Sequence, residues 1–122
     1  MVSSPNEFVD YVLETMSHWG QVSSRKMFGG YGLYREGVMF ALIADEVLHL
    51  KVDAVSVGQF EQAGSVPFVY QSATRTVQMS YWSAPAESLE SPAEMRDWCR
   101  LAYAAALRAN AAKPVPRSRK AK

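Results

Sequence analysis

The stretch from Arg25 to Val52 constrains the fold more than any other part of the chain, because its pattern is one of strands and short turns. Val38 to Ala44 is nearly all apolar, as a central strand covered on both faces would be. Arg35-Glu36-Gly37 in front of it reads as a hairpin turn, and Asp45-Glu46 behind it turns the chain again. Val47 to Val52 then alternates, with Leu48, Leu50 and Val52 on one face and Val47, His49 and Lys51 on the other. With Arg25 to Tyr34 as a glycine-interrupted strand, the segment reads as a three-stranded antiparallel meander.

Helices frame this block. Ser4 suits an N-cap, Pro5 the first helical position, and Glu7 completes a capping box. Phe8, Val9, Val12, Leu13, Met16 and Trp19 follow at helical spacing, and Gly20 fits the stop. Asp53 is placed to cap a short helix running to about Ala63. Two more strands are expected near Val66 to Gln71 and Thr76 to Trp82, joined by Ser72-Ala73-Thr74-Arg75 and ended by Pro85. Ser91-Pro92-Ala93-Glu94 repeats the capping pattern. It opens a helix to about Asn110 that presents Met95, Trp98, Cys99, Ala102 and Ala105 on one face. The expected class is α+β, an antiparallel sheet of about five strands in two meander segments packed with three helices, in the order α-βββ-α-ββ-α.

The 122 residues fit one domain, and 48% apolar with 20% charged residues suits a folded body. That body is expected over 1–112, followed by a basic, disordered tail over 113–122. The tail holds five of the thirteen Lys/Arg residues and no acid, so the preceding residues carry eight bases against twelve acids. A mildly acidic body does not attract nucleic acid by itself, since phosphate affinity comes from Lys and Arg displacing counterions. No apolar run nears the ~20 residues that span a bilayer, and the N-terminus does not read as a secretory signal. Cys99 is the single cysteine, in keeping with a reducing compartment, and a cytoplasmic location is expected.

No catalytic constellation emerges, so neither an enzyme nor a cofactor or metal site is expected. His18 and His49 lie on different elements without a Cys or His partner at metal-ligand spacing. His18, four residues after Glu14, reads as half of a surface pair, and His49 beside Lys51 as a solvated or partly covered residue. Cys99 sits in an apolar stripe, where a thiol behaves as a small hydrophobe. Gly29-Gly30-Tyr31-Gly32 superficially suggests a phosphate-cradling loop, but strand-like residues follow where a helix N-terminus is required. The glycines read better as a bulge or bend, or as positions that let another backbone approach closely.

The string Arg25-Lys26-Met27-Phe28-Gly29-Gly30-Tyr31-Gly32-Leu33-Tyr34, with Gly37-Val38-Met39-Phe40-Ala41 and Leu48-His49-Leu50-Lys51-Val52, resembles the signature of the TfoX (Sxy) N-terminal domain family. Pro67-Phe68-Val69-Tyr70 and Val77-Gln78-Met79-Ser80-Tyr81-Trp82 resemble its second half, so the likeness runs from about Glu7 to Leu107. The resemblance implies an α+β fold with an antiparallel sheet. It also implies a link to competence regulators, which act with transcription machinery and not as enzymes, here as a stand-alone domain without their C-terminal domain. It carries over no catalytic residues, only the motif at Arg25 to Gly32.

The leading expectation is a regulatory domain that binds a protein partner through Arg25, Lys26, Phe28, Gly29, Gly30, Tyr31, Gly32 and Tyr34. Trp82 joins them as the best exposed aromatic, being out of phase with Val77, Met79 and Tyr81. One alternative is a nucleic-acid-associated protein whose tail residues Lys113, Arg117, Arg119, Lys120 and Lys122 contact phosphates. Another is a small-molecule-binding domain, with Arg25 and Lys26 holding an anion. A homodimer through a sheet edge or the alanine-rich helix is a further option; a membrane partner is not expected.

Overall fold

A computed structural model describes residues 5–27, 30–71, 74 and 76–112. The chain runs α1 (Pro5–Met16), β1 (Ser23–Met27), β2 (Gly30–Arg35), β3 (Val38–Ala44), β4 (Val47–Lys51), α2 (Val57–Gln62), β5 (Pro67–Gln71), β6 (Thr76–Ser83), a 3₁₀ turn (Ala86–Leu89) and α3 (Pro92–Ala112). Among the described residues this is an α+β fold of three α-helices and one six-stranded antiparallel sheet, ordered β1-β2-β3-β4-β6-β5.

The sheet has six strands because the segment expected as one bent strand is a hairpin. β1 pairs with β2 from Ser23↔Tyr34 to Met27↔Gly30. Phe28 and Gly29, between those two strands, lie outside the described residues. So do the expected cap Ser4, all of the 72–75 turn except Thr74, and the tail from Lys113. The next two hairpins close on pairs of positive-φ residues, Glu36 (50°) with Gly37 (81°) and Asp45 (53°) with Glu46 (61°). Two such residues in succession give the turn whose twist matches that of paired strands.

Between β2 and β3 the register slips: Leu33 opposes Ala41 while Tyr34 opposes Met39. Phe40 is therefore an extra residue, a bulge. It lets Phe40 join Ala41 and Ile43 in the core, where strict alternation would have sent it to the far side. Leu33, Phe40, Ala41, Ile43, Leu48 and Leu50 from the sheet, with Val52 just after β4, pack against Val9, Val12 and Met16 of α1, Phe60 of α2, and Met95, Cys99, Ala102 and Ala106 of α3. The small side chains of Ala102, Ala105 and Ala106 are buried, so the alanine stripe of α3 is used inside the chain. Trp19, Phe40 and Tyr103 meet edge to face with centroids 5.3, 5.6 and 6.0 Å apart, and Arg35 lies 4.3 Å from the Trp19 ring. Truncating an enclosed ring such as Phe40 to alanine costs about 3–5 kcal/mol.

The helix expected directly after Asp53 begins later, at Val57. Asp53 Oδ1 accepts from the amides of Val55 and Ser56 at 3.1 and 3.2 Å, so it caps an intervening turn. At the start of α3, Ser91 Oγ accepts from the Glu94 amide at 3.4 Å, one half of the expected capping box. Among the described residues no helix is long and apolar enough to cross a membrane.

Candidate functional site

Directly opposed residues in an antiparallel sheet share a face. The pairs Arg25↔Gly32, Gly32↔Leu42, Tyr34↔Met39, Leu42↔His49 and Lys51↔Tyr81 therefore define the face opposite to the helix-packed core. That face is not polar. A cavity of about 280 Å³ opens on it, lined by Met27, Gly30, Tyr31, Met39, Leu42, Ile43, Ala44, Phe68 and Met79. β1 and β5 are opposite edges of the sheet, yet both contribute to this lining. The sheet must curl toward this side for that to happen.

The glycines belong to the same face. A Cβ on Gly30 would stand 2.2 Å from the Ile43 carbonyl oxygen, inside the backbone of β3. One on Gly32 would meet the sulfurs of Met27 at 2.7 Å and Met39 at 3.2 Å. Close approach, by the neighbouring strand of the same chain and by two thioethers, is thus the reason for glycine at both positions. The bulge itself falls later, at Phe40, and Gly30 opens β2, so the motif leads into a strand and not into a helix N-terminus.

His49, expected to be solvated or partly covered, is buried at 7% exposure. Its ring lies 4.8 Å from that of Phe68, and its Nδ1 meets no partner within normal hydrogen-bond geometry among the described residues. Burial lowers its pKa, with the Val47 carbonyl working in the opposite direction, so the neutral imidazole is favoured. Beside it, Lys51 Nζ lies 5.1 Å from the Tyr81 ring centroid and donates to Ser80 Oγ at 2.6 Å. Burial first, and the neighbouring Tyr34 second, push the Tyr81 phenol up to about 12. Arg25 stacks 5.1 Å over Tyr34.

The structure does not gather the expected contact residues into one patch. Arg25, Gly30, Gly32 and Tyr34 share the open face, whereas Lys26 pairs with Tyr31 and is exposed in the other phase of β1. Arg25 and Lys26 therefore do not converge on one anion. Tyr31 is half-buried, packs against the core and borders the cavity. Trp82 corrects the sequence reading. It opposes Leu50 on the helix-packed face and packs against the core, while Tyr81 takes the open side. Phe28, Gly29, Lys113, Arg117, Arg119, Lys120 and Lys122 lie outside the described residues.

Sequence reasoning missed Met27, Met39, Leu42, Phe68 and Met79 as a group. The available signal was apolar residues in both phases of β3, which requires apolar surroundings on both sides of the sheet.

The remaining reactive groups are separated. His18 is exposed beyond the end of α1 and, among the described residues, makes no ion pair with Glu14. Cys99 is fully buried and its thiol is pushed up to about 12 by desolvation. Asp45 and Glu46 sit exposed at a hairpin tip. Among the described residues no group of three His, Cys, Asp or Glu side chains could hold a metal ion.

A family model described as the TfoX N-terminal domain matches residues 14–106. The chain is also 29% identical over 76 residues to the DNA transformation protein TfoX1 of Aliivibrio fischeri, a match covering 62% of this chain and 36% of that relative. The matched part thus spans about a third of the relative's length.

Proposed function

This chain belongs to the TfoX N-terminal domain family, and we propose that it is a non-enzymatic regulatory module of the competence-regulator type, acting in DNA transformation by binding a partner protein along the free edge of β1. The observation that carries this reading is the position of the family's signature. The string from Arg25 to Tyr34 forms the β1–β2 hairpin, and its first strand is the outer edge of the sheet. An edge strand offers unpaired backbone groups to which an extended partner segment can add. Arg25 and Lys26 are exposed there on opposite phases, so they guard the edge against indiscriminate pairing and favour an acidic partner segment. The scattered, buried or solvated state of His18, His49 and Cys99 supports a binding role over catalysis.

The test is in-cell photocrosslinking in the native host, with the crosslinker placed at Lys26 and, as control, at Arg96 on the exposed side of α3. The reading expects a discrete heteromeric adduct from position 26 that Arg25→Glu removes while the protein level holds. Identical adducts from both positions, or a position-26 adduct insensitive to Arg25→Glu, would sink it.

A further inference from the structure

We infer that the cavity on the open sheet face is a receptor site for a small, uncharged, planar aromatic molecule of one or two fused rings. This goes beyond partner binding at the β1 edge: it shares Met27, Gly30 and Tyr31 with that hairpin but rests on the apolar wall they form with β3, β5 and β6.

Size comes first. The cavity measures about 280 Å³, roughly twice the ~150 Å³ of an engineered apolar cavity that takes up benzene. It is open to the surface, and apolar concavities of this kind are where proteins take up small ligands. Here the one glycine in the described lining, Gly30, cannot carry a side chain to fill it, because it abuts the β3 backbone, and Gly32 on the same face seats the Met27 and Met39 sulfurs.

Charge comes second. Among the described residues, none that lines it is a Lys, Arg, His, Asp or Glu. An ionised ligand would lose its water and gain no counter-charge. The buried His49 behind Phe68 is held neutral and does not alter this.

Shape comes third. Met27, Met39 and Met79 bring polarizable thioethers to one cavity, and Phe68 adds a ring. Sulfur contacts ring edges favourably at about 5 Å, and rings pair edge to face. Unbranched methionines also adapt to a guest without backbone movement. Walls of this kind discriminate in favour of a flat aromatic guest over an aliphatic chain of equal size.

The experiment titrates the full chain, carrying ¹³C-methyl methionine, with indole as the uncharged two-ring probe, followed by NMR. The expected result is saturable shifts at the Met27, Met39 and Met79 methyls, with Met16 and Met95 unmoved in the core beneath the helices. Ala44→Phe fills the cavity from β3 and should weaken indole at least tenfold. Met79→Trp fills it from β6 and serves the same purpose if the first variant does not fold. Hexanol and indole-3-acetate, aliphatic and charged comparators, should each bind at least tenfold more weakly than indole. No saturable shift, equal movement of Met16 and Met95, unchanged affinity in a folded filling variant, or a preference for either comparator would overturn the assignment. The β1-edge crosslink at Lys26 is scored separately, so failure of either idea leaves the other standing.

Discussion

Arg108, near the end of α3, lays its guanidinium against Asp53, with Nε 2.6 Å from Oδ2 and Nη2 3.0 Å from Oδ1. The same carboxylate accepts from the amides of Val55 and Ser56, so one side chain fastens the β4–α2 connection to the last helix.

This arrangement sets an acid sensitivity. The hydrogen bond from Arg108, then those from Ser56, hold the Asp53 carboxyl down at about 2. Because the folded state keeps the proton off, the contribution is complete above the ordinary aspartate range and is lost as pH falls from about 4 toward 2. Asp53→Ala should cost about 1 kcal/mol at neutral pH, mainly through the lost caps. The difference from the parent chain should vanish near pH 2 in denaturant titrations. Arg108→Gln should cost less, since the ion pair is largely exposed and the caps survive.

The buried imidazole gives a second pH dependence of the same sign and a different window. His49 is disfavoured as a cation when folded, so the unfolded chain takes up its proton first. Stability should therefore fall as pH drops below about 6.5, the ordinary histidine value. His49→Leu should abolish that loss and leave stability at pH 8 unchanged or higher, because an unpartnered buried nitrogen is removed with its penalty. Melting temperatures of both chains between pH 5 and 8 decide this.

Gly30 and Gly32 should respond very differently to alanine. At Gly30 the added carbon meets a strand carbonyl at 2.2 Å and backbone must move. We expect a loss of more than about 3 kcal/mol, or failure to fold, as for other backbone-incompatible substitutions. At Gly32 the added carbon meets side chains only, the Met27 and Met39 thioethers and the edge of the Tyr34 ring at 3.1 Å. Gly32→Ala should cost under about 1.5 kcal/mol while shifting the Met27 and Met39 methyl resonances.

The β3–β4 turn holds two non-glycine residues at positive φ, Asp45 at 53° and Glu46 at 61°. Asp45→Asn with Glu46→Gly supplies the pair this turn type prefers. The double variant should gain about 1 kcal/mol, seen as a higher melting temperature without change in the methionine spectrum.

Much of the fold was legible in local patterns. The spacing of Val9, Val12 and Met16, and of Met95, Cys99 and Ala102, marked the core faces of α1 and α3. The Leu48, Leu50 and Val52 alternation marked that of β4. These readings succeed because a helix or strand imposes its own period whatever it packs against.

Other features had no local signature. The Arg25 to Tyr34 segment reads equally well as one bent strand or as two paired ones, and only its pairing with β3 makes it a hairpin. Trp82 was assigned to the wrong face because the phase of a strand is fixed by its neighbour, and Leu50 draws Trp82 inward. His49 reads as solvated or partly covered from its place beside Lys51, but Phe68, from β5, lies against it. The sequence by itself determined the fold class, the helices and the family signature, because these rest on periodicity and chemistry within a few residues. The tertiary structure alone decided which face each apolar residue serves and that Met27, Met39, Phe68 and Met79 share one cavity. Curling of the sheet brings residues far apart in the chain together, and no local period encodes that curl.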